Sequence, residues 1–408
     1  MMSKKDTLEL PGFDRDPVTG KYYRKLPAGS PSCFDVRRHP NSPEDNSAEK
    51  LKIPNVAKLI SQRDLGQLVN TKFETDILEL KTKDIFLKKK FTFPGDVINE
   101  LALMDCQFLK RGNGTIIGKW SCKNFPNMCY LGEFEDDVTN LHKKSDPLLH
   151  AYLVKKFITD FCECYDSQYR YVVFSAHRNC DNVGLIYLIN TQICADRSEF
   201  ASITYLDLNI VSPIWCCASN HQKLNFAVGL EKFVNVYSST RIIRSIGVPG
   251  QAHTVEFDKT GNLMFSGLNN GRLIMSDLRT RREHDVSVKL SDCCLQEIKL
   301  SSGENYIIYG DFAGRINRVD FRMDLNCVAE YKGHYGSKPS FSFSENFNVL
   351  CANGQDNVTR LWSLEHGGKP LRYIETEKGC SSSSIISDNG SKCVIYHVVN
   401  DLVNAYGF

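Results

Sequence analysis

Two four-residue stretches hold the side chains best suited to recognition chemistry: Ser276-Asp277-Leu278-Arg279 and Val319-Asp320-Phe321-Arg322. Strand alternation puts residues two apart on the same side, so each Asp shares a side with its Arg. The guanidinium is a planar fork of donors that can clamp a carboxylate or the backbone carbonyls of a partner. Two uses stay open: each Arg reaches outward to a partner, or each Asp holds its own Arg and caps a local turn. The stretches stand 43 residues apart. If that distance is one structural repeat, both pairs leave the same rim of the molecule.

Catalytic residue types are present, but not in working arrangements. Gly112-Asn113-Gly114 and Gly118-Lys119 suggest a phosphate loop, yet only three residues separate Gly114 from Gly118, and Trp120 follows the lysine. A phosphate loop needs four residues between its glycines and then Lys-Ser/Thr, so the segment reads as a β-hairpin. The 10 histidines form no H-x3-H or H-E-x-x-H site, and no G-x-S-x-G nucleophile elbow occurs. His177, Cys180 and Asp181 lie close in sequence, as hairpin turns routinely place such residues. The 16 cysteines include Cys162-x-Cys164 and the adjacent pair Cys216-Cys217, but no C-x2-C. Zinc sites need two close ligand pairs, so the cysteines read as reduced, small buried hydrophobes. The expectation is no enzymatic activity, no cofactor and no metal.

The elements that would position the two Asp-x-Arg pairs come from a repeat. The segments 267–279, 310–322 and 354–365 align, each as a strand end, a tight turn and a second alternating strand. Ser276, Val319, Trp362 and Ala405 fall at equivalent positions in steps of 43 residues, and Tyr237 stands 39 before Ser276. About 40–45 residues per four-stranded unit is the period of a WD-type propeller blade. Asn269-Asn270-Gly271 supplies residues that tolerate positive φ in a hairpin. Blades are expected at roughly 212–246, 251–290, 294–331 and 338–375, with three further strands in 380–408. A strand from the N-terminal side, within 84–93, would complete the last blade and remove a free sheet edge. TIIGKW and MCYLGEF suggest a first blade, and 169–190 a second, which brings the total to seven. The expected fold is all-β: a seven-bladed WD40-type β-propeller over 76–408, with strand exchange closing the last blade.

The N-terminal part is different. Residues 1–50 read as a partly flexible extension, with Pro31, Pro40 and Pro43 among polar residues. Residues 51–75 read as a helical segment. Val56, Leu59 and Ile60 follow the i, i+3, i+4 rule and make one apolar face. That face either packs on the propeller or docks into a partner groove.

Composition sets outer limits. With 50 basic and 48 acidic side chains among 408 residues, nothing drives the chain toward nucleic acid or anionic membranes in general. At 42% hydrophobic and 24% charged, it has the make-up of a soluble globular protein. No run of 18 apolar residues occurs, and residues 1–30 are polar without an apolar core segment. A nuclear or cytoplasmic location is expected. The run Lys88-Lys89-Lys90 reads as a protected strand edge; an oligonucleotide patch would need more basic and aromatic side chains on one face.

The repeat with Gly333-His334, Asp356 and Trp362 resembles the WD-repeat family, in which such His, Asp and Trp side chains hydrogen-bond across a blade. Paired Asp-x-Arg boxes in a propeller resemble the substrate receptors of cullin-4–RING ubiquitin ligases. The leader Leu10-Pro11-Gly12-Phe13, with Asp16 and Tyr22-Tyr23-Arg24 after it, resembles that of the fourth associated-factor subfamily. The resemblance implies that Asp277, Arg279, Asp320 and Arg322 face the damaged-DNA-binding adaptor subunit. It also implies that the 54–68 helix, with Val56, Leu59 and Ile60, enters the adaptor's cleft. The function so implied is a non-catalytic receptor that links an unidentified target protein to the ligase. Both boxes depart from the family in lacking Trp, which is Ser276 in one and Val319 in the other. The alternative is a general WD-repeat scaffold in another multiprotein complex, its Asp-x-Arg pairs being structural.

Overall fold

The computed structural model describes residues 13–15, 22–24, 70–83, 85–92, 103–110, 115–122, 129–135, 148–154, 157–165, 170–177, 184–190, 204–210 and 212–407, the last without 221–224, 239–240, 281–284, 324, 338, 376–383, 389–392 and 400–401. The chain divides into two units, 1–54 and 55–408. In the first, β1 (Phe13–Arg15) and β2 (Tyr22–Arg24) pair antiparallel, with Phe13 opposite Arg24.

The second unit begins its described part with helix α1 (Asn70–Lys83) and strand β3 (Phe86–Thr92). Twenty-seven further strands follow among the described residues, and with β3 they pair into seven four-stranded arrays. Six arrays run in chain order: β4–β7 (103–154), β8–β11 (157–210), β12–β15 (216–247), β16–β19 (252–289), β20–β23 (295–331) and β24–β27 (340–375). One parallel pairing, Tyr331 with Gly368, joins the last two of these. The seventh holds β28–β30 (384–407) and takes β3 as its fourth strand, with Phe86 opposite Gly407 and Thr92 opposite Leu402. First strands of successive arrays are neighbours: β8 with β12, β12 with β16, β16 with β20, β24 with β28, and β28 with β4. This is the radial stacking of a β-propeller.

The core lies between adjacent arrays. One cluster joins Cys164 and Val173 to Phe226 and Tyr237. The next joins Val234 and Val236 to Val255 and Met264, and a third joins Phe265 and Leu273 to Ile307 and Val319. Trp362, Leu350 and Phe341 then pack on Ile308, Ile316 and Tyr331. The arrays from β12 to β27 therefore bury both faces against their neighbours, which explains strand patterns such as Val349–Asn353, buried at all five positions. The cysteines fit the same core: Cys162, Cys164, Cys216, Cys217, Cys351 and Cys393 are buried. Turn chemistry repeats too. Gly271 (φ 76°), Gly314 (φ 81°) and Asn357 (φ 62°) hold equivalent hairpin positions in the left-handed region. A Cβ at Gly271 would collide with the Ser291 carbonyl oxygen, so that turn requires glycine.

The expected helix with Val56, Leu59 and Ile60 lies outside the described residues. The expected boundary at residue 75 needs correction, because it cuts through α1. Asn70, Thr71, Thr75 and Thr82 are weak helix formers, and although Phe73, Ile77 and Leu80 keep i, i+4, i+7 spacing, the buried Leu78 lies off that stripe. Tertiary contacts hold α1 instead. Leu78 is buried in the cluster formed by Val349, Leu361 and Ile395. Arg372 on β27 (Gly367–Glu375) donates to the carbonyls of Glu79 (3.1 Å) and Thr82 (3.4 Å), a cationic cap at the helix C-terminus.

Candidate protein-interaction site

Asp277 ends β18 (Arg272–Asp277) and Asp320 ends β22 (Ile316–Asp320), the third strands of neighbouring arrays. These strands run in the same sense, so both turns leave the same face. One backbone bond closes each turn at equivalent places: Leu278 N–H to Asn262 O (2.8 Å), Phe321 N–H to Asn305 O (3.3 Å), and Leu364 N–H to Asn348 O (3.0 Å).

The two boxes have the same internal geometry. Asp277 Oδ1 accepts the Arg279 N–H at 2.9 Å and its Nε–H at 3.0 Å, while Oδ2 accepts from Nη2 at 2.7 Å. Asp320 and Arg322 repeat these contacts at 2.9, 3.0 and 2.7 Å. Each Asp thus does what the local alternative required: it caps its turn and fixes its own Arg. The Arg side chains nevertheless stay in solvent, at 64% and 52% exposure. In the first box, Asp277 occupies two of the five guanidinium donors. The Arg279 guanidinium holds the Asp277 carboxyl down at about 2. Arg322 lowers Asp320 in the same way, chiefly through its side-chain hydrogen bond. The result is a pair of pre-oriented cationic forks, each fixed on an anion that does not neutralise in mild acid.

Residues the sequence did not single out steady these turns. Arg244 Nη1, on the neighbouring array, donates to the carbonyls of Asp277 (2.8 Å) and Thr280 (2.7 Å). Arg318 lies over the Tyr306 ring at 4.3 Å, and Arg322 stands 5.5 Å from the same ring. Arg318 also donates to the Leu364 carbonyl at 2.9 Å, which Tyr331 OH approaches at 2.6 Å. The alternation Arg318-Val319-Asp320-Phe321-Arg322 was a signal for this arrangement: three charged residues on one side of a strand end.

The expected mutual bonding of His334, Asp356 and Trp362 is not what is found. His334 lies between two carbonyls, with Nδ1 3.2 Å from Gly314 O and Nε2 3.0 Å from Asn353 O. Asp356 pairs with Arg360 through both carboxylate oxygens. Trp362 Nε1 donates to Lys332 O at 2.9 Å. Arg360, buried at the third strand, competes for the carboxylate; a charge-assisted pair is stronger than a neutral one. His177 ends β9 (Arg170–His177), while Cys180 and Asp181 lie outside the described residues. On the inner strands, burial pushes Glu256 up to about 8 against the pull of Lys299; Lys299 itself pairs with Glu297 at 2.8 Å. Among the described residues no helix is long and apolar enough to cross a membrane.

Radially stacked four-stranded arrays with a 43-residue step make this a WD40-type β-propeller protein. A solved WD40 β-propeller domain of Doa1 has the same fold: TM-score 0.55 at 11% identity, over 79% of this chain and 97% of that one. Residues 174–393 match the family model of the DDB1- and CUL4-associated factor 4 β-propeller domain, and the chain belongs to that family. DDB1- and CUL4-associated factor 4 of Homo sapiens is 25% identical over 93% of this chain and 81% of its own length. The Bos taurus protein of that name is 31% identical over 42% of this chain and 36% of its own. DDB1- and CUL4-associated factor 4-like protein 2 of Homo sapiens is 29% identical over 38% of this chain and 41% of its own. The match to the bovine relative thus spans about a third of that protein's length.

Proposed function

We propose that this chain is a non-catalytic substrate receptor, holding a CUL4-type ligase through a DDB1-type adaptor and presenting a target protein to it. The observation that carries the reading is the pair of exposed Arg279 and Arg322 side chains, each fixed by its own Asp in one shared geometry on neighbouring blades. Prefixed guanidinium forks lose little freedom on binding, so more of each hydrogen bond is available to the partner. Family membership supports the reading, since the relatives are named for association with DDB1 and CUL4. The topology supports it as well. Glu74, near the start of α1, reaches His366 in the turn after β26 (Val358–Ser363). The first half of α1 is therefore tethered to the face that bears the Arg residues. Val56, Leu59 and Ile60 precede α1 in the sequence and are the proposed second element of the adaptor contact.

The receptor contributes proximity. A tethered target meets the ligase at an effective concentration far above its free one, while the ubiquitin chemistry belongs to other subunits. Co-purification with the adaptor tests this, comparing the wild-type chain with the Arg279→Ala/Arg322→Ala double variant at unchanged Tm. Binding should weaken at least about tenfold, or 1.4 kcal/mol. A wild-type chain that never binds the adaptor would leave the general scaffold, with the Asp-x-Arg pairs structural. Binding indifferent to both Arg would move the contact to residues 54–68.

A further inference from the structure

The third equivalent turn departs from the box, and the departure assembles a different site. Where Asp320 and Arg322 stand in one blade, Ser363 and Glu365 stand 43 residues later, followed by His366. Glu74 reaches the same place from α1. His366 Nε2 lies 3.7 Å from Glu74 Oε2. One donor atom each from Glu74, Glu365 and His366 lies within 4.8 Å of the others.

Each arm is held from behind. Ser363 is buried, at 1% exposure. Its Oγ stands 3.2 Å from His366 Nδ1 and accepts the His366 backbone N–H at 3.3 Å. With the imidazole proton on Nδ1 and donated to Ser363, the Nε2 lone pair points toward the two carboxylates. That outer-shell contact is the kind that fixes the tautomer of a metal-binding histidine. The Glu365 N–H donates to Asn348 Oδ1 at 2.8 Å, which fixes the turn. α1 is fixed by buried Leu78 and by the Arg372 cap. Two rigid elements, far apart in sequence, thus bring two carboxylates and one imidazole together. Among the described residues His366 is the ion-pair partner found for Glu74.

We propose that Glu74, Glu365 and His366 form a binding site for a zinc-type divalent cation that staples α1 to the turn after β26. One nitrogen and two oxygen donors leave a fourth position for water, as in three-ligand zinc sites. The imidazole favours a borderline ion over Mg2+ or Ca2+, which prefer all-oxygen shells. The cation would also offset the repulsion between Glu74 and Glu365. The site does not depend on the ligase reading, because it needs only the fold.

Zn2+ is the probe, titrated by calorimetry into the full chain after chelator treatment and desalting. One equivalent should bind and raise Tm. Glu74→Gln, Glu365→Gln and His366→Asn should each weaken binding at least about tenfold, a loss of the size that even outer-shell changes produce. Glu74 and Glu365 are exposed and His366 is half-buried, so the Tm of the two metal-free Glu variants should match wild type. Because the chain has 16 cysteines, Co2+ replaces Zn2+ in a second measurement. The site should give a spectrum without a thiolate-to-metal charge-transfer band. The proposal fails if uptake is not saturable, if all three variants keep wild-type affinity, or if the bound Co2+ shows thiolate ligation. Displacement of Zn2+ by equimolar Mg2+ would overturn the assignment of a zinc-type ion.

Discussion

The turn after β22 and the turn after β26 share a backbone and differ in nearly every side chain. Both are closed by the same hydrogen bond, from the residue at 321 or 364 to the Asn at 305 or 348. One then carries Asp320 and an outward Arg322. The other carries Ser363, Glu365 and His366, and receives Glu74 of α1. Beneath them the cores differ as well, Val319 in one and Trp362 in the other, both essentially fully buried. The propeller therefore sets where a turn stands and which way it faces. The few side chains at the strand end decide whether that place offers a cation to a partner or carboxylates to a cation. A degenerate repeat keeps the first property and is free to vary the second.

The largest contrast should come from the foundations. Trp362 fills the space between Tyr331, which it meets edge-on at 6.3 Å, and its own blade, and it donates to Lys332 O. Trp362→Ala should cost about 3–5 kcal/mol, as full aromatic truncations in cores do. Val319→Ala, at the equivalent position, removes far less volume and should cost about 2 kcal/mol at most. Denaturant unfolding of the two variants measures the difference. Equal costs would mean that the two blades are founded alike and that Trp362 is not the anchor of its turn.

Acid should separate the two regions next. His397, on β29 (Cys393–Val399), is fully buried. Its Nδ1 lies 2.7 Å from Thr359 Oγ1 on β26, and its Nε2 has no hydrogen-bond partner among the described residues. Protonating Nε2 would bury an unpartnered charge, so burial lowers the imidazole to about 4. The unfolded chain then binds a proton, near pH 6.5, that the folded chain refuses until about pH 4. The stabilisation is complete above about 6.5 and is lost as pH falls through that window, to a total of roughly 3 kcal/mol. The boxes should not respond there. Asp277 keeps its charge down to about 2, so its contribution fades only as pH drops below the usual carboxylate range. Hydrogen exchange between pH 7 and 4.5 should show loosening at the β26–β29 junction and none at 277–280 or 320–323. Thermal melts of His397→Gln should lose much of the slope across that range, the remainder coming from His334, which burial lowers in the same direction. A wild-type slope that survives the substitution would assign the acid sensitivity elsewhere.

The period was legible because turn chemistry and strand alternation recur at fixed steps: Gly271, Gly314 and Asn357, or Ser276, Val319 and Trp362. Single-blade signatures were not needed for it. The rest failed where partners come from distant segments. In the sequence of α1 only the spacing of Phe73, Ile77 and Leu80 points to a helix, since Leu78 and the Arg372 cap act only once β27 is in place. Arg360 capturing Asp356, and Arg244 clamping the Asp277 turn, are choices made by folded geometry among several available cations. The Glu74, Glu365 and His366 cluster has no spacing to read, because α1 and the turn after β26 lie almost at opposite ends of the chain. The Asp-x-Arg boxes were legible as pairs. What the sequence left open was whether Asp binds its Arg or frees it, and the structure gives a third answer: bound and still exposed.

The smallest effect sharpens the contrast most. Glu365→Arg gives the last turn the charge that Arg322 gives its neighbour. The Glu365 side chain is exposed, and its backbone N–H bond to Asn348 survives the change. In chelator-treated protein the stability should therefore stay within about 0.5 kcal/mol of wild type, the usual range for surface substitutions. Added Zn2+ should then raise the Tm of wild type and leave that of the variant unchanged. A metal-free loss well beyond that range would mean that Glu365 and His366 already support the turn as an ion pair. In that case the turn would be a structural joint rather than a site whose polarity is set independently of the blade beneath it.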